Sequence, residues 1–409
     1  MPLNPLAMAL LSPAEAALVD HARAAPMLDQ VLAWSAINSG TRNLAGVAAM
    51  GAMLADAFAA LPGAVTLEAP DAVETVGADG ARIPLDHGRH LLVTVRPDAP
   101  LQLLFTGHMD TVYPADHPFQ TCVWRADDVL NGPGVADMKG GIALMLAALM
   151  AVEASPFAPA LGYQVMIGAD EETGSLSSAR LIERVARGKL AAFTYEPALP
   201  DGTLAGARGG TGNFSITVRG KSAHAGRNPD DGRNAVLAAA DLALRLAAAR
   251  SSTLAVNPAR IEGGGPNNVV PDLAILRVNF RPKDGPAITL ATEHLAASIA
   301  AVAAAHDVAI DCHGSFNRPP KPISADAARL FDTVKAAGAD LGLAIGWRDT
   351  GGVCDGNNIA ACGVAVVDTM GARGGDIHSA DEYLIVDSLP ERAALSALAI
   401  ARIVQKGHL

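Results

Sequence analysis

The chain has 409 residues, 50% of them hydrophobic and 18% charged, with a formal net charge of −11. That apolar content supplies a large core and excludes wholesale disorder, and the length predicts two or three domains at about 100–200 residues each. The acidic balance argues against nucleic acid or an anionic membrane as partner, because their phosphates would be repelled.

Cys122, Cys312, Cys354 and Cys362 stand without a CxxC pair, as expected of reduced thiols in a cytoplasmic protein. The apolar patch at residues 1–11 has no basic segment before it, which argues against a signal peptide. The apolar stretches 142–151 and 237–249 are too short or too interrupted to span a bilayer.

From Ser12 to about Leu61 the pattern is helical, with Pro13 placed as a first-turn proline. A second helix over 44–61 is closed by Pro62-Gly63, and Asn38-Ser39-Gly40-Thr41 forms the loop between the two. Strands are predicted over 91–95 and 101–105, separated by a turn at 96–100. The second run breaks at Gly107 into a loop carrying His108 and Asp110, at the edge where open α/β sheets present ligand-binding groups. A glycine-rich loop, 131–141, brings Asp137 to the entry of a helix over 142–153, where it can also be read as an N-cap.

A strand over 163–167 ends in Asp170-Glu171-Glu172, three carboxylates that repel one another unless a cation holds them. Beside His108 the run reads as a metal ligand next to a general base. A helix over 178–186 and a strand over 191–195 follow, the latter ending at Glu196-Pro197. This rhythm predicts an α/β fold, a mostly parallel sheet flanked by helices. With His378 near the end of the chain, the inventory is imidazoles and carboxylates without cysteine, which suits zinc or a similar divalent ion in hydrolysis.

The character changes near Arg208. Strands over 214–219, 255–262, 273–281 and 308–312, with helices over 233–250 and 288–305, follow the order of a ferredoxin-like α+β unit. An inserted domain is therefore expected over 209–318, splitting a catalytic domain into 1–208 and 319–409. The second piece holds a helix over 325–341, a loop at 349–357, a strand over 364–368 and a closing helix over 388–404.

Seven motifs occur in one order across nearly the whole chain: Gly107-His-Met-Asp110, Gly134-Val-Ala-Asp-Met-Lys-Gly140, Asp170-Glu-Glu-Thr-Gly-Ser175, Glu196-Pro197, Gly220-Lys-Ser-Ala-His-Ala-Gly226, Asn267-Asn-Val-Val-Pro271 and His378. With them the sequence resembles the zinc-dependent amidohydrolase and exopeptidase family of glutamate carboxypeptidase (carboxypeptidase G), acetylornithine deacetylase, succinyl-diaminopimelate desuccinylase and aminoacylase. The resemblance implies two zinc ions per subunit, with cobalt or manganese as substitutes. His108, Asp137 and Glu196 would bind one ion, Asp137, Glu172 and His378 the other, with Asp137 as the bridge. Glu171 would be the general base, and Asp110 would orient His108.

The same resemblance makes the insert a dimerisation or lid domain, whose His224 crosses a homodimer interface to stabilise the oxyanion. It assigns the substrate's free carboxylate to Asn268 and Arg281. Arg277 shares the strand parity of Arg281, so periodicity does not separate them, and the resemblance favours Arg281. Arg318, Thr350 and Gly352 match positions around the C-terminal residue in the glutamate carboxypeptidase group. Departures from that group are Val353-Cys354-Asp355-Gly-Asn357 and the absence of a lysine near Thr203. The implied activity is hydrolysis of an amide bond beside a free carboxylate in a small peptide or N-acyl amino acid. An N-acyl-amino-acid deacylase or a dipeptidase is the alternative, and a non-catalytic binding homologue a remote one.

Overall fold

The computed structural model describes residues 11–409, so the N-terminal patch at residues 1–10 lies outside it. Ser12 opens the first helix, Pro13–Ala24, by a reciprocal capping box in which its hydroxyl accepts the Glu15 N–H and the Glu15 carboxylate accepts the Ser12 N–H. Ala25-Pro26 interrupts the pattern. The helical span therefore continues as two further helices, Met27–Ser35 and Leu44–Phe58, where the sequence predicts one.

The central sheet runs in the order Ala64–Glu68, His90–Val95, Leu161–Gly168, Leu101–His108, Ala191–Thr194, Ala365–Val367. The last four strands are mutually parallel, while the first two pair antiparallel. The sheet is thus mixed, with an antiparallel edge on a parallel centre. Alternation along Leu101–His108 feeds two cores: Leu103 and Phe105 join the larger one, and Leu104 joins Met166, Ile182 and Ile359 beneath the other face. The helices Gly140–Glu153 and Ser388–Lys406 pack together in the larger core. Gly141 makes a close approach possible there, because a Cβ on it would sit 2.0 Å from the Tyr195 carbonyl oxygen. Among the described residues, two helical stretches, Val135–Glu153 and Gly285–His306, are long and apolar enough to cross a bilayer by composition. In the fold the first is 94% buried, and the second lays Ala291, Leu295 and Val302 on another sheet.

That second sheet is antiparallel, in the order Leu254–Gly263, Leu273–Pro282, Thr211–Arg219, Ala309–Arg318. The helices Ala235–Ala248 and Gly285–His306 share a separate core with Ile216, Val218, Leu276 and Phe280 on one face of it. The arrangement is ferredoxin-like. Its other face is polar and receives the hairpin Val73–Val76/Arg82–Leu85 of the first unit. Arg277 donates to Val76 O at 2.9 Å, Arg219 to Asp79 O at 3.1 Å, and Arg82 pairs with Asp311 at 2.8 Å. Arg277 also engages Glu262 and Ser215, so its guanidinium is occupied as a clasp between the insert's sheet and the hairpin.

The segment predicted as a loop at 349–357 is instead a strand end, Trp347–Thr350, and a helix, Asp355–Ala361, begun by Cys354 with its Sγ accepting the Gly356 N–H. Within that helix the Asn357 side-chain nitrogen donates to Gly209 O at 2.9 Å and to Pro319 O at 2.8 Å. These are the two places where the chain passes between the sheets.

Candidate active site and metal centre

Three adjacent parallel strands end side by side, in the registers His108 with Gly168 and Thr106 with Thr194. His108 is the last residue of its strand, which runs three residues beyond the predicted Phe105. The chain leaving Gly168 turns at once into Glu171–Thr173, and the chain leaving Thr194 reaches Glu196 two residues on. Asp137 lies in the turn before Gly140–Glu153. Its backbone is non-helical (φ −114°, ψ 88°), and the cap position of that helix falls to Lys139, so Asp137 is not its N-cap.

The side chains converge around Asp137. His108 Nε2 is 3.0 Å from Asp137 Oδ1 and 3.7 Å from Glu196 Oε2. His378 Nε2 is 3.4 Å from Asp137 Oδ2 and 3.2 Å from Glu172 Oε2. Each imidazole thus faces one oxygen of the same carboxylate, and each has a second carboxylate on its other side. Donor atoms of His108, Asp137 and Glu172 all lie within 4.8 Å of one another. This donor set fits a pair of divalent ions sharing Asp137, one per half-site.

The electrostatics match that reading. Burial lowers His108, but the charge of Glu196 and bonds to Asp110 and Asp137 outweigh it and raise the imidazole well above its usual range. Hydrogen bonds to Asp137 and Glu172 push His378 up to about 10. Burial and the Asp137 charge push Glu172 up to about 8. Burial would raise Asp137 as well, yet the two imidazoles hold it below the ordinary carboxylate range. Four carboxylates crowded into a buried cleft require positive charge, and a metal ion supplies it where imidazolium protons otherwise must.

Asp110 is buried behind His108, whose Nδ1 lies 3.0 Å from its carbonyl oxygen and 3.5 Å from its carboxylate. The carboxylate accepts the Thr41 hydroxyl at 2.6 Å and the backbone N–H groups of Glu171 and Glu172 at 3.2 Å each. It therefore orients the imidazole and the two glutamates together. Glu171 is held by Arg318, Nη2 to Oε1 at 2.7 Å, and burial pushes its carboxyl up to about 7. Arg318 is 4% exposed and also donates to Ser175 Oγ and to the Glu171 carbonyl, with Asp355 at 3.6 Å. It is thus engaged by Glu171, whereas the resemblance implies a contact with substrate.

The cluster opens into a cavity of about 510 Å³ lined by Asp137, Glu171, Glu196, Arg208, Thr350, Gly352 and His378, among others. A second cavity, of about 740 Å³, shares Arg208, Thr350 and Gly351 with it and contains Arg281 and Lys283. Thr350, Gly352 and Arg281 are thus near the cluster or one cavity away. Asn268 and His224 are not: both are exposed on the insert and neither lines these cavities. His224 Nδ1 accepts the N–H groups of Gly226 and Arg227 at 3.1 Å, which puts the proton of the neutral ring on Nε2.

Two groups of the site have no sequence signal. Arg208, which lines the cavity, pairs with the buried Asp368, Nε to Oδ2 at 2.5 Å. Glu382 is 1% exposed, and its carboxylate accepts the N–H groups of Gly134, Ala136 and Asp137. A single acidic residue four positions after His378 resembles any polar loop residue, and only the fold brings it beneath Asp137.

The model of peptidase family M20/M25/M40 matches residues 104–402. The chain is similar to carboxypeptidase G2 of Pseudomonas sp. (strain RS-16), 29% identical over 307 residues that cover 72% of each protein. It is also similar to a succinyl-diaminopimelate desuccinylase of Xanthomonas oryzae pv. oryzae (strain PXO99A), 28% identical over 329 residues, 74% of this chain and 84% of that one. In fold it is similar to a tripeptidase from Staphylococcus aureus subsp. aureus Mu50, with TM-score 0.72 at 24% identity over 93% of this chain and 98% of that one. A dinuclear metal-binding peptidase from Bacillus subtilis has TM-score 0.64 at 14% identity, covering 93% of this chain and 98% of its own.

Proposed function

This chain belongs to peptidase family M20/M25/M40 and is a hydrolase of amide or peptide bonds, and from that premise we propose that it cleaves an amide beside a free carboxylate, with two zinc ions and Glu171 as general base. The observation that carries the proposal is the single carboxylate of Asp137 lying between two imidazoles, each backed by a second carboxylate. His108 with Glu196, and His378 with Glu172, would complete the two half-sites, and cobalt or manganese would substitute for zinc. When bound, the ions would lower the pKa of a shared water and polarise the scissile carbonyl.

The chain's own residues supply the proton chemistry. Glu171 takes the proton of the attacking water and returns it to the leaving nitrogen. Arg318 fixes the direction of its carboxylate by the 2.7 Å ion pair. The Nε2–H tautomer of His224 is a donor suited to a developing oxyanion, and its exposure on the insert, outside the cavities of its own chain, accords with service to the site of a second subunit. Leu237 and Leu244, exposed one above the other on Ala235–Ala248, and Leu290 on Gly285–His306 give the insert an apolar surface for that homodimer. Arg281 in the adjoining cavity would hold the substrate carboxylate, and Asn268, which neighbours the His224 loop through the Ala225 N–H, would assist with His224 from the second subunit. The four free cysteines accord with a cytoplasmic location.

Likeness to carboxypeptidase G2 supports release of a C-terminal amino acid, glutamate or another, from N-acyl or peptidyl substrates. Likeness to the desuccinylase supports the second reading, removal of an acyl group from an amino acid. A panel of N-acyl, N-aroyl and dipeptide substrates, assayed with added zinc, cobalt or manganese, tests both. Cleavage confined to substrates with a free carboxylate is expected. Equal cleavage of the corresponding methyl esters would overturn the carboxylate requirement.

A further inference from the structure

We propose that Glu382 is a positioning residue whose buried carboxylate ties together the three loops that carry His108–Asp110, Asp137 and His378. The inference rests on the metal-centre reading above and concerns what holds that centre in shape. Oε1 accepts the N–H groups of Ala136 and Asp137, each at 3.0 Å, and Oε2 accepts the Gly134 N–H at 3.1 Å and the Tyr113 hydroxyl at 2.8 Å. Four donors from two loops thus meet on one side chain from a third.

The backbone around it adds to the tie. Asn131 Nδ2 donates to the Glu382 carbonyl at 2.6 Å, and the Tyr113 hydroxyl also lies 2.7 Å from the Ser379 carbonyl, next to His378. Tyr113 follows Asp110 by three residues, so the hydroxyl links the His108 loop to the His378 loop. Gly134 takes a left-handed conformation (φ 72°), where a side chain would be strained, and this turns its N–H toward the acid. Successive N–H groups aimed at one point form an anion nest.

The consequence falls on Asp137. Its backbone N–H is fixed by Oε1, so its side chain is aimed with little freedom at the two imidazoles. A carboxylate meets this need and an amide does not. In glutamine one oxygen is replaced by NH₂, which would face the Gly134 N–H donor and leave it without an acceptor. Groups that orient metal ligands typically change metal affinity by about 10- to 100-fold when removed.

The test uses the full chain as wild type, Glu382→Gln and Tyr113→Phe. Zinc affinity is measured by competition with a chromogenic chelator, and hydrogen exchange of residues 134–137 is followed in metal-free protein. For Glu382→Gln we expect zinc affinity to fall about 10- to 100-fold, with faster exchange at Gly134, Ala136 and Asp137. Tyr113→Phe removes one donor of the four, and a loss of severalfold is expected. Wild-type zinc affinity and unchanged amide protection in folded Glu382→Gln would overturn the proposal, even if that variant unfolds at a lower temperature. If Glu382→Gln does not fold, unchanged zinc affinity in Tyr113→Phe overturns it instead. A wild-type chain that binds no zinc defeats the metal-centre reading itself, a result separate from either of these.

Discussion

Replacing Glu171 with glutamine separates chemistry from stability at this site. The carboxylate is paired with Arg318 at 2.7 Å in a buried setting, so the substitution touches both. Stripping a buried charge of its sole partner typically costs about 3–5 kcal/mol. Arg318 is better provided for: it keeps Ser175 Oγ at 2.7 Å, the residue 171 carbonyl at 2.9 Å and Asp355 at 3.6 Å, and the amide oxygen still accepts. The exchange is of an ion pair for a hydrogen bond from the guanidinium to a neutral amide oxygen, about 1–2 kcal/mol. Loss of a general base costs about 100- to 10,000-fold in turnover, which is about 3–5 kcal/mol of barrier. We therefore expect Glu171→Gln to stay folded, to bind as much zinc as wild type, and to lose at least about two orders of magnitude in kcat. Urea unfolding, elemental analysis and steady-state kinetics on the best substrate of the panel measure the three quantities. A variant that loses a zinc ion would make Glu171 a ligand, and one that keeps its kcat would remove it from proton transfer.

Exhaustive chelation should abolish activity, and zinc, cobalt or manganese should restore it; full activity in protein shown by elemental analysis to be metal-free refutes the mechanism. His224→Ala and Glu171→Ala chains should each be nearly inactive, yet on subunit exchange recover toward about a quarter of wild type, since half the dimers carry one intact site of two. Exchanged dimers that stay inactive would place His224 within its own subunit or outside catalysis. Gly141→Ala should destabilise the fold by about 1–3 kcal/mol or more, because its Cβ would lie 2.0 Å from the Tyr195 carbonyl. A melting temperature equal to wild type would show that the helix shifts without cost.

What the sequence made legible follows from where signals are strong. The buried strands Leu101–His108 and Leu161–Gly168 are continuous apolar runs, and polar residues that follow such runs directly, His108 and the 170–172 acids, stand out. The edge strand Ala64–Glu68 and the hairpin Val73–Val76/Arg82–Leu85 are half exposed and only four or five residues long, too short for their alternation to stand out. The helix Asp355–Ala361 reads as a loop in the sequence because its start depends on a cysteine cap, an unusual one, rather than on serine or aspartate. Sequence spacing does not show that Glu171 and Asp355 reach Arg318. Glu382 and the Arg208–Asp368 pair are products of long-range contact, joining positions 245 and 160 residues apart.

The side chain of Asn357 holds Gly209 and Pro319 through a single nitrogen, so the two chain crossings are fastened at one point. The insert is fastened a second time at the hairpin, by Arg277, Arg219 and Arg82. One fastening alone would leave a free joint, whereas two resist rotation about either. Every residue proposed to bind metal lies outside the insert, and Arg318, one residue before Pro319, reaches from the insert's edge to grip Glu171 at 2.7 Å.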